Sequence, residues 1–279
     1  VKESAKVFAL LFFCALNAVG APKLPLIVAA APQPLFAGVN RVVSVKLQND
    51  LGTPVAVDLR VRLLQTTIAT TTPIAEQGWK QVQLLPGQTI LESIILDFPP
   101  VRAETPFLIQ WIAGASNVVG TTEVLAYPTN LLTQLKTLAG DEPLGVFDPT
   151  DELKPLLRTQ AVEVIDLVET GTDKFRGKLA IVGPFETTTQ MRASLRDDIR
   201  ALAKRGVAVV WLLPPPEKRA ALKPSFYVVR EAGGVVVVAA PSLVTQLAER
   251  PEAQLNLLRL AEEALQPTPL ALPETESSN

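Results

Sequence analysis

The apolar pattern of this chain changes period once, near Tyr127-Pro128, and that change constrains the fold more than any other feature of the sequence. Before it, apolar and polar residues alternate one by one, with a period of two, as side chains do on the two faces of a half-buried strand. Val43-Ser44-Val45-Lys46-Leu47 alternates, and so does the run from Val55 to Leu63, which places Asp58, Arg60 and Arg62 on the wet side. Trp79 to Leu85, Thr89 to Leu96, Phe107 to Ile112 and Val118 to Leu125 continue the pattern, punctuated by Asn49–Gly52, Pro86-Gly87 and Gly114–Asn117. Short strands rich in β-branched residues and separated by turn residues predict a two-sheet β-sandwich over residues 33–128.

After Pro128 short apolar runs alternate with helical patterns. Asn130 to Leu138 reads as a linking helix and Leu144–Phe147 as a buried strand. A helix follows to about Thr159, with Thr150 as its expected cap, and Val162 to Val168 is a second strand. The clearest unit is the strand Leu179–Val182, an amphipathic helix from Gln190 to Arg205, the stop at Gly206, and the apolar strand from Val207 to Leu213. Met191, Leu195, Ile199 and Leu202 share one face of that helix. Phe226–Arg230 and Val235–Ala239 are further strands, and Leu243 to Leu265 is helical with a break near Pro251. Strand, helix, strand in this order predicts a three-layer α/β domain over residues 138–265, built on a mostly parallel sheet.

The two ends lie outside these patterns. Residues 1–21 carry Lys2 and Lys6 before an apolar run, then Ala18-Val19-Gly20, which is the three-part pattern of a signal peptide. That reading makes the protein exported, periplasmic or extracellular; its rival is a retained membrane anchor, which would tether the chain to a membrane. Residues 266–279, rich in Pro, Thr, Ser and Glu, read as a disordered tail.

Composition narrows the chemistry. The chain has no His, the side chain best suited to moving protons near neutral pH, and its one Cys, Cys14, lies in the apolar N-terminal stretch. Zinc held by Cys or His, a disulfide and a thiol nucleophile are therefore not expected of the mature chain. A net charge of −2 without a basic run argues against nucleic acid as a partner.

The Leu85-Pro86-Gly87-Gln88 turn before an alternating strand is similar to a loop of immunoglobulin-like modules. The second half resembles the class I glutamine amidotransferase-like domains, which have a flavodoxin-like sheet. The residues behind that likeness are Leu144-Gly145-Val146-Phe147-Asp148, Lys178 to Pro184, and the helix leading to Gly206-Val207-Ala208-Val209-Val210-Trp211. Working members of the family use a Cys nucleophile with a His and an acid. With neither residue type in the folded part, the resemblance implies a pseudoenzyme and carries no catalytic residue over.

Parallel sheets bind ligands beyond the carboxyl ends of their strands, which singles out Asp148, Gly183 and Glu186 as ligand-binding candidates. The bland role for Asp148 is to cap the next turn, and for Glu186 to face water. Trp79, at the start of its strand, is a candidate for stacking on a sugar ring, against the alternative of core packing. The Gly, Thr and Lys of residues 168–174 lack the glycine spacing of a phosphate loop, and no Gly-x-Ser-x-Gly elbow is present. No cofactor or metal is expected. The expected function is that of a non-catalytic exported accessory protein binding a protein or glycan partner. The alternatives are a carboxylate-dependent hydrolase acting on carbohydrate and a membrane-tethered scaffold of an envelope assembly.

Overall fold

The computed structural model describes residues 26–140, 142–185, 187–213 and 226–267. The expected signal segment, Glu186 and all but the first two residues of the expected tail lie outside the described residues.

Seven strands form the first part: β1 (Gln33–Phe36), β2 (Asn40–Gln48), β3 (Val55–Thr66), β4 (Thr71–Leu84), β5 (Thr89–Asp97), β6 (Thr105–Ala113) and β7 (Asn117–Tyr127). Five of them make one sheet in the order β1-β7-β6-β3-β4, and β2 pairs with β5 in a separate ribbon. The period-two pattern sends Val43, Val45 and Leu47 from the ribbon, and Leu59, Val61, Leu63, Ile109 and Trp111 from the larger sheet, into one buried cluster. Removing that apolar area from water is the main stabilising term, worth about 25 cal/mol per Å².

The buried cluster starts earlier than the sequence suggests. Leu26 and Ile27 are buried in it, and Ile27 bridges to Leu47 in β2. A Cβ on Gly120 would come within 2.3 Å of the Ile27 side chain, so only glycine lets β7 pass this close.

The second part contains α1 (Gln134–Leu138), β8 (Leu144–Phe147), α2 (Leu153–Thr159), β9 (Val164–Asp166), α3 (Leu167–Thr170), β10 (Leu179–Val182), α4 (Leu195–Lys204), β11 (Ala208–Leu212), β12 (Phe226–Arg230), β13 (Val235–Ala239) and α5 (Pro251–Leu265). Its sheet runs β12-β13-β11-β10-β8-β9. All neighbours are parallel except β12, which lies antiparallel to β13. Alternate residues of the central strands bury themselves on opposite faces. Leu179, Ile181, Val210 and Val237 join one cluster with Leu257 and Ala261 of α5, while Ala180, Val182, Val209 and Val236 join another with Ile199 and Leu202 of α4. The first of these clusters also takes in Phe36 of β1 and Tyr127 of β7, so apolar packing is continuous across the junction of the two sheets.

Several boundaries differ from the sequence reading. Helix α4 begins at Leu195, because Thr188–Gln190 forms a separate 3-10 turn; Asp197 and Asp198 in its first turn favour the positive helix end. The strand expected from Val162 to Val168 is only Val164–Asp166, since Asp166 caps a short helix by accepting the N–H of Val168.

Candidate functional site

In the second sheet the chain leaves β8 toward β9 on one side and leaves β10 toward β11 on the other. The loops after β8 and β10 therefore diverge, and such a switch point is where open α/β sheets place ligands. Asp148 follows β8 and Gly183 follows β10, so the topology brings these two candidates to one end of the sheet.

Asp148 is 1% exposed. One carboxyl oxygen, Oδ2, accepts the backbone N–H of Leu153 at 2.7 Å and that of Lys154 at 3.1 Å. The other, Oδ1, accepts the Thr150 hydroxyl at 3.0 Å. The first N–H groups of a helix have no partner within it, and Asp148 supplies one from outside. Thr150, the expected cap, acts instead as a donor to this carboxylate.

A second carboxylate stands at the end of the neighbouring strand. Lys154 places its ammonium 2.5 Å from Asp166 Oδ2 and 3.1 Å from Asp151 Oδ1, with only 9% of the lysine side chain exposed. Burial works against the charge on Asp166, but hydrogen bonds from Lys154 and from the Val168 N–H outweigh it and hold the carboxyl below its ordinary value. Burial likewise opposes the charge on Lys154, and the bonds to Asp166 and Asp151 outweigh it, keeping the lysine above its ordinary value. Neither shift suits proton transfer near neutral pH, where a donor carboxyl must be raised and a basic lysine lowered.

Gly183 has φ +101°, and its N–H donates to Phe147 O at 2.8 Å. A Cβ there would meet Leu212 O at 2.7 Å. The glycine thus serves the tight exit of β10 between β8 and β11. Around it, Phe147 and Phe185 stand 6.2 Å apart, and the Arg192 guanidinium lies 5.3 Å from the Phe147 ring centre while pairing with Asp198 at 2.8 Å. Trp211 on β11 buries its indole N–H, which has no hydrogen-bond partner among the described residues.

Sequence reasoning passed over Lys154, Arg192 and the Trp211 N–H. Lys154 sits two residues into a helix, where lysine ordinarily faces water, so no local pattern marks it as buried. Trp211 lies within the apolar run from Val207 to Leu213 and reads as core by periodicity.

Trp79 lies in the other sheet. Leu59 pairs with Lys80 and Arg60 with Gly78, which leaves Trp79 as the extra residue of a β-bulge. Its ring packs 5.0 Å from that of Trp111, with Lys80 Nζ 5.0 Å from its centre, and it is partly buried against the sandwich core. A separate open groove of about 900 Å³ lies on the α5 side of the second sheet, lined by residues that include Leu138, Phe226, Leu243, Arg259 and Glu262. It is distinct in its lining from the strand ends near Asp148.

No protein family matches the chain. No curated protein matches it either. Among solved structures, a Listeria innocua β-glucosidase in complex with glucose is similar at 17% identity and TM-score 0.25, covering 34% of this chain and 15% of that one. A Pseudomonas fluorescens alkylpurine DNA glycosylase bound to DNA with an abasic site analogue has 10% identity and TM-score 0.26, covering 35% of this chain and 28% of that one. A Bifidobacterium adolescentis β-glucosidase has 10% identity and TM-score 0.23, covering 33% and 16%. The chain thus matches only a small part of each of these proteins, and likenesses this slight carry no argument about fold or activity.

The chemistry of the site follows from its own residues. Among the described residues no group of three or more His, Cys, Asp or Glu side chains is placed to hold a metal ion. No described helix is long and apolar enough to cross a membrane. The architecture is a mixed α/β one, whose carboxylates at the strand ends are engaged by helix N–H groups and by a lysine.

Proposed function

We propose that this protein is a non-catalytic, exported accessory protein that binds a protein or glycan partner, and that its second sheet is a glutamine amidotransferase-like scaffold without the family's chemistry. One observation carries the reading: both oxygens of Asp148, the carboxylate best placed at the switch point, are taken up by Thr150, Leu153 and Lys154. A general acid or base must reach the proton it moves, and Asp148 is 1% exposed, with Oδ2 on two helix N–H groups and Oδ1 on the Thr150 hydroxyl. The Trp211 N–H, without a hydrogen-bond partner among the described residues, and the ring pair of Phe147 and Phe185 suit binding at this end of the sheet better than bond cleavage.

The second reading is a carboxylate-dependent hydrolase acting on carbohydrate. What favours it is composition: with no His and a single Cys outside the described part, carboxylates are the most numerous of the remaining acid–base groups suited to hydrolysis near neutral pH. It requires two carboxyl groups flanking a cleft at about 5–10 Å, at least one with a raised pKa. Asp166 departs in the opposite direction.

The two readings separate in one pair of assays on purified protein. Binding to an immobilised panel of envelope glycans and proteins, with no release of reducing sugar from the same glycans, is the expected result. Sustained release of sugar that scales with protein concentration would move the assignment to the hydrolase.

A further inference from the structure

Helix α4 buries Leu195, Ile199, Leu202 and Ala203 and leaves Arg196, Arg200 and Lys204 exposed. These three stand four residues apart, so they form one row of cations with about 6 Å between neighbours. The row works against the helix that carries it. Like charges four residues apart are unfavourable, and Arg196 stands in the first turn, where the positive helix end disfavours a cation. Asp197 and Asp198 offset that end, but Asp198 is already paired with Arg192. Lys204, in the last turn, suits the helix dipole; the two arginines gain nothing from it. Nor does the rest of the chain neutralise the row. Among the described residues the side chains of Arg196 and Lys204 have no hydrogen bond or ion pair. Arg200 reaches Glu231 only at 3.8 Å, with 57% of its side chain exposed. The chain as a whole carries a net charge of −2, so the row is not an overflow of general basicity.

We propose that the outer face of α4 docks an acidic helix of a protein partner. Charge complementarity names the chemistry: carboxylates at i, i+4 and i+8 of a facing helix repeat at the spacing of the row. Two of the three cations are arginines, whose planar fork holds a carboxylate through two parallel bonds. Two further residues favour a helix over a uniformly anionic polymer or lipid surface. Asp197, exposed beside Arg196, repels a continuous anionic surface, whereas a helix carries discrete charges and sets a neutral or basic residue opposite it. Ala201, exposed one turn after Asp197, is small enough for a second helix to approach α4 closely. The proposal adds a surface and a partner chemistry to the binding function above, and uses none of Asp148, Gly183 or Trp211.

Fluorescence anisotropy of the full chain with a labelled peptide tests this. The probe is an alanine-rich peptide of about 20 residues, long enough to be helical alone, with Glu at three positions four apart. A control peptide holds the same three Glu residues on different faces. The expected result is saturable binding of the probe, weaker by about tenfold for the control and weaker again at high salt. Arg196→Glu/Arg200→Glu should lose the Glu probe and take up the same peptide with Lys at those positions, because the charges are exchanged. Both positions are exposed, so a melting temperature close to the parent's is expected of the variant. The proposal is overturned by a parent that does not bind the probe, or that binds probe and control alike. It is also overturned by a double variant that keeps the Glu probe or takes neither peptide. Tighter binding to phosphatidylglycerol vesicles than to the probe overturns it too, and makes the row a lipid contact. None of these outcomes alters the sugar-release assay above, which does not involve α4.

Discussion

Asp148, a residue 1% exposed, reaches five residues along the chain to accept the backbone N–H of Leu153 at 2.7 Å. A charged acceptor on a helix N-terminus gains from both the hydrogen bonds and the helix dipole. Asp148→Ala leaves the N–H groups of Leu153 and Lys154 buried without that acceptor. The expected cost is about 2 kcal/mol, or roughly 5 °C in melting temperature, read by thermal unfolding.

Lys154 and Asp166 form a nearly buried pair, and their shifts set the pH range over which it stabilises the fold. Asp166 titrates below its ordinary value when folded, so its contribution is present above the unfolded value of about 4 and is lost as pH falls through the lower folded value. Lys154 titrates above its ordinary value, so its contribution is present below about 10.4 and is lost as pH rises through the higher folded value. Lys154→Met should cost about 3 kcal/mol at pH 7 by leaving Asp166 charged and unpaired. Urea unfolding should find that gap shrinking as pH drops below about 4, where Asp166 takes up a proton.

Trp111 donates its indole N–H to the Thr122 hydroxyl at 2.9 Å inside the sandwich core. Thr122→Val keeps the volume and removes the acceptor, which should cost about 1–3 kcal/mol in denaturant unfolding. Thr122→Ser keeps an acceptor and should cost less, chiefly the missing methyl group.

Tyr127 joins the two sheets, buried in the α5-side cluster with its hydroxyl 2.9 Å from Glu104. Burial first, and then the bond to Glu104, push its phenol up to about 12. A neutral phenol favoured by folding stabilises below the unfolded value of about 10, and the contribution disappears as pH rises through the folded value. An absorbance titration at alkaline pH should contain a phenolate step near 12 that Tyr127→Phe removes.

Strands and helices whose burial repeats with the backbone period were readable from the sequence. The runs at Leu179–Val182 and Val235–Ala239 are strands, and Leu195, Ile199 and Leu202 form the buried stripe of α4. What periodicity does not encode is who meets whom across the chain. Leu26 and Ile27 belong to the sandwich core, and Ile27 fits there because Gly120, far along the sequence, opens space for it. The early start of α4 failed for a related reason: Thr188–Gln190 turns as a 3-10 element, and side-chain pattern alone does not separate that from the first turn of an α-helix. At the switch point the placement of Asp148 and Gly183 was legible, because strand ends follow from strand positions. The bonds that occupy Asp148 were not, since they depend on where the β8–α2 loop returns.

Whether the Asp148 carboxyl holds a helix end or moves a proton is measured most directly by Asp148→Asn. Purified parent and variant should be compared for release of sugar from envelope glycans and for melting temperature in the same preparation. The predicted result is no turnover above the blank from either protein, with a lower melting temperature for the variant, as expected of a carboxylate that holds a helix end. Turnover by the parent that the variant loses while keeping the parent's melting temperature would contradict it.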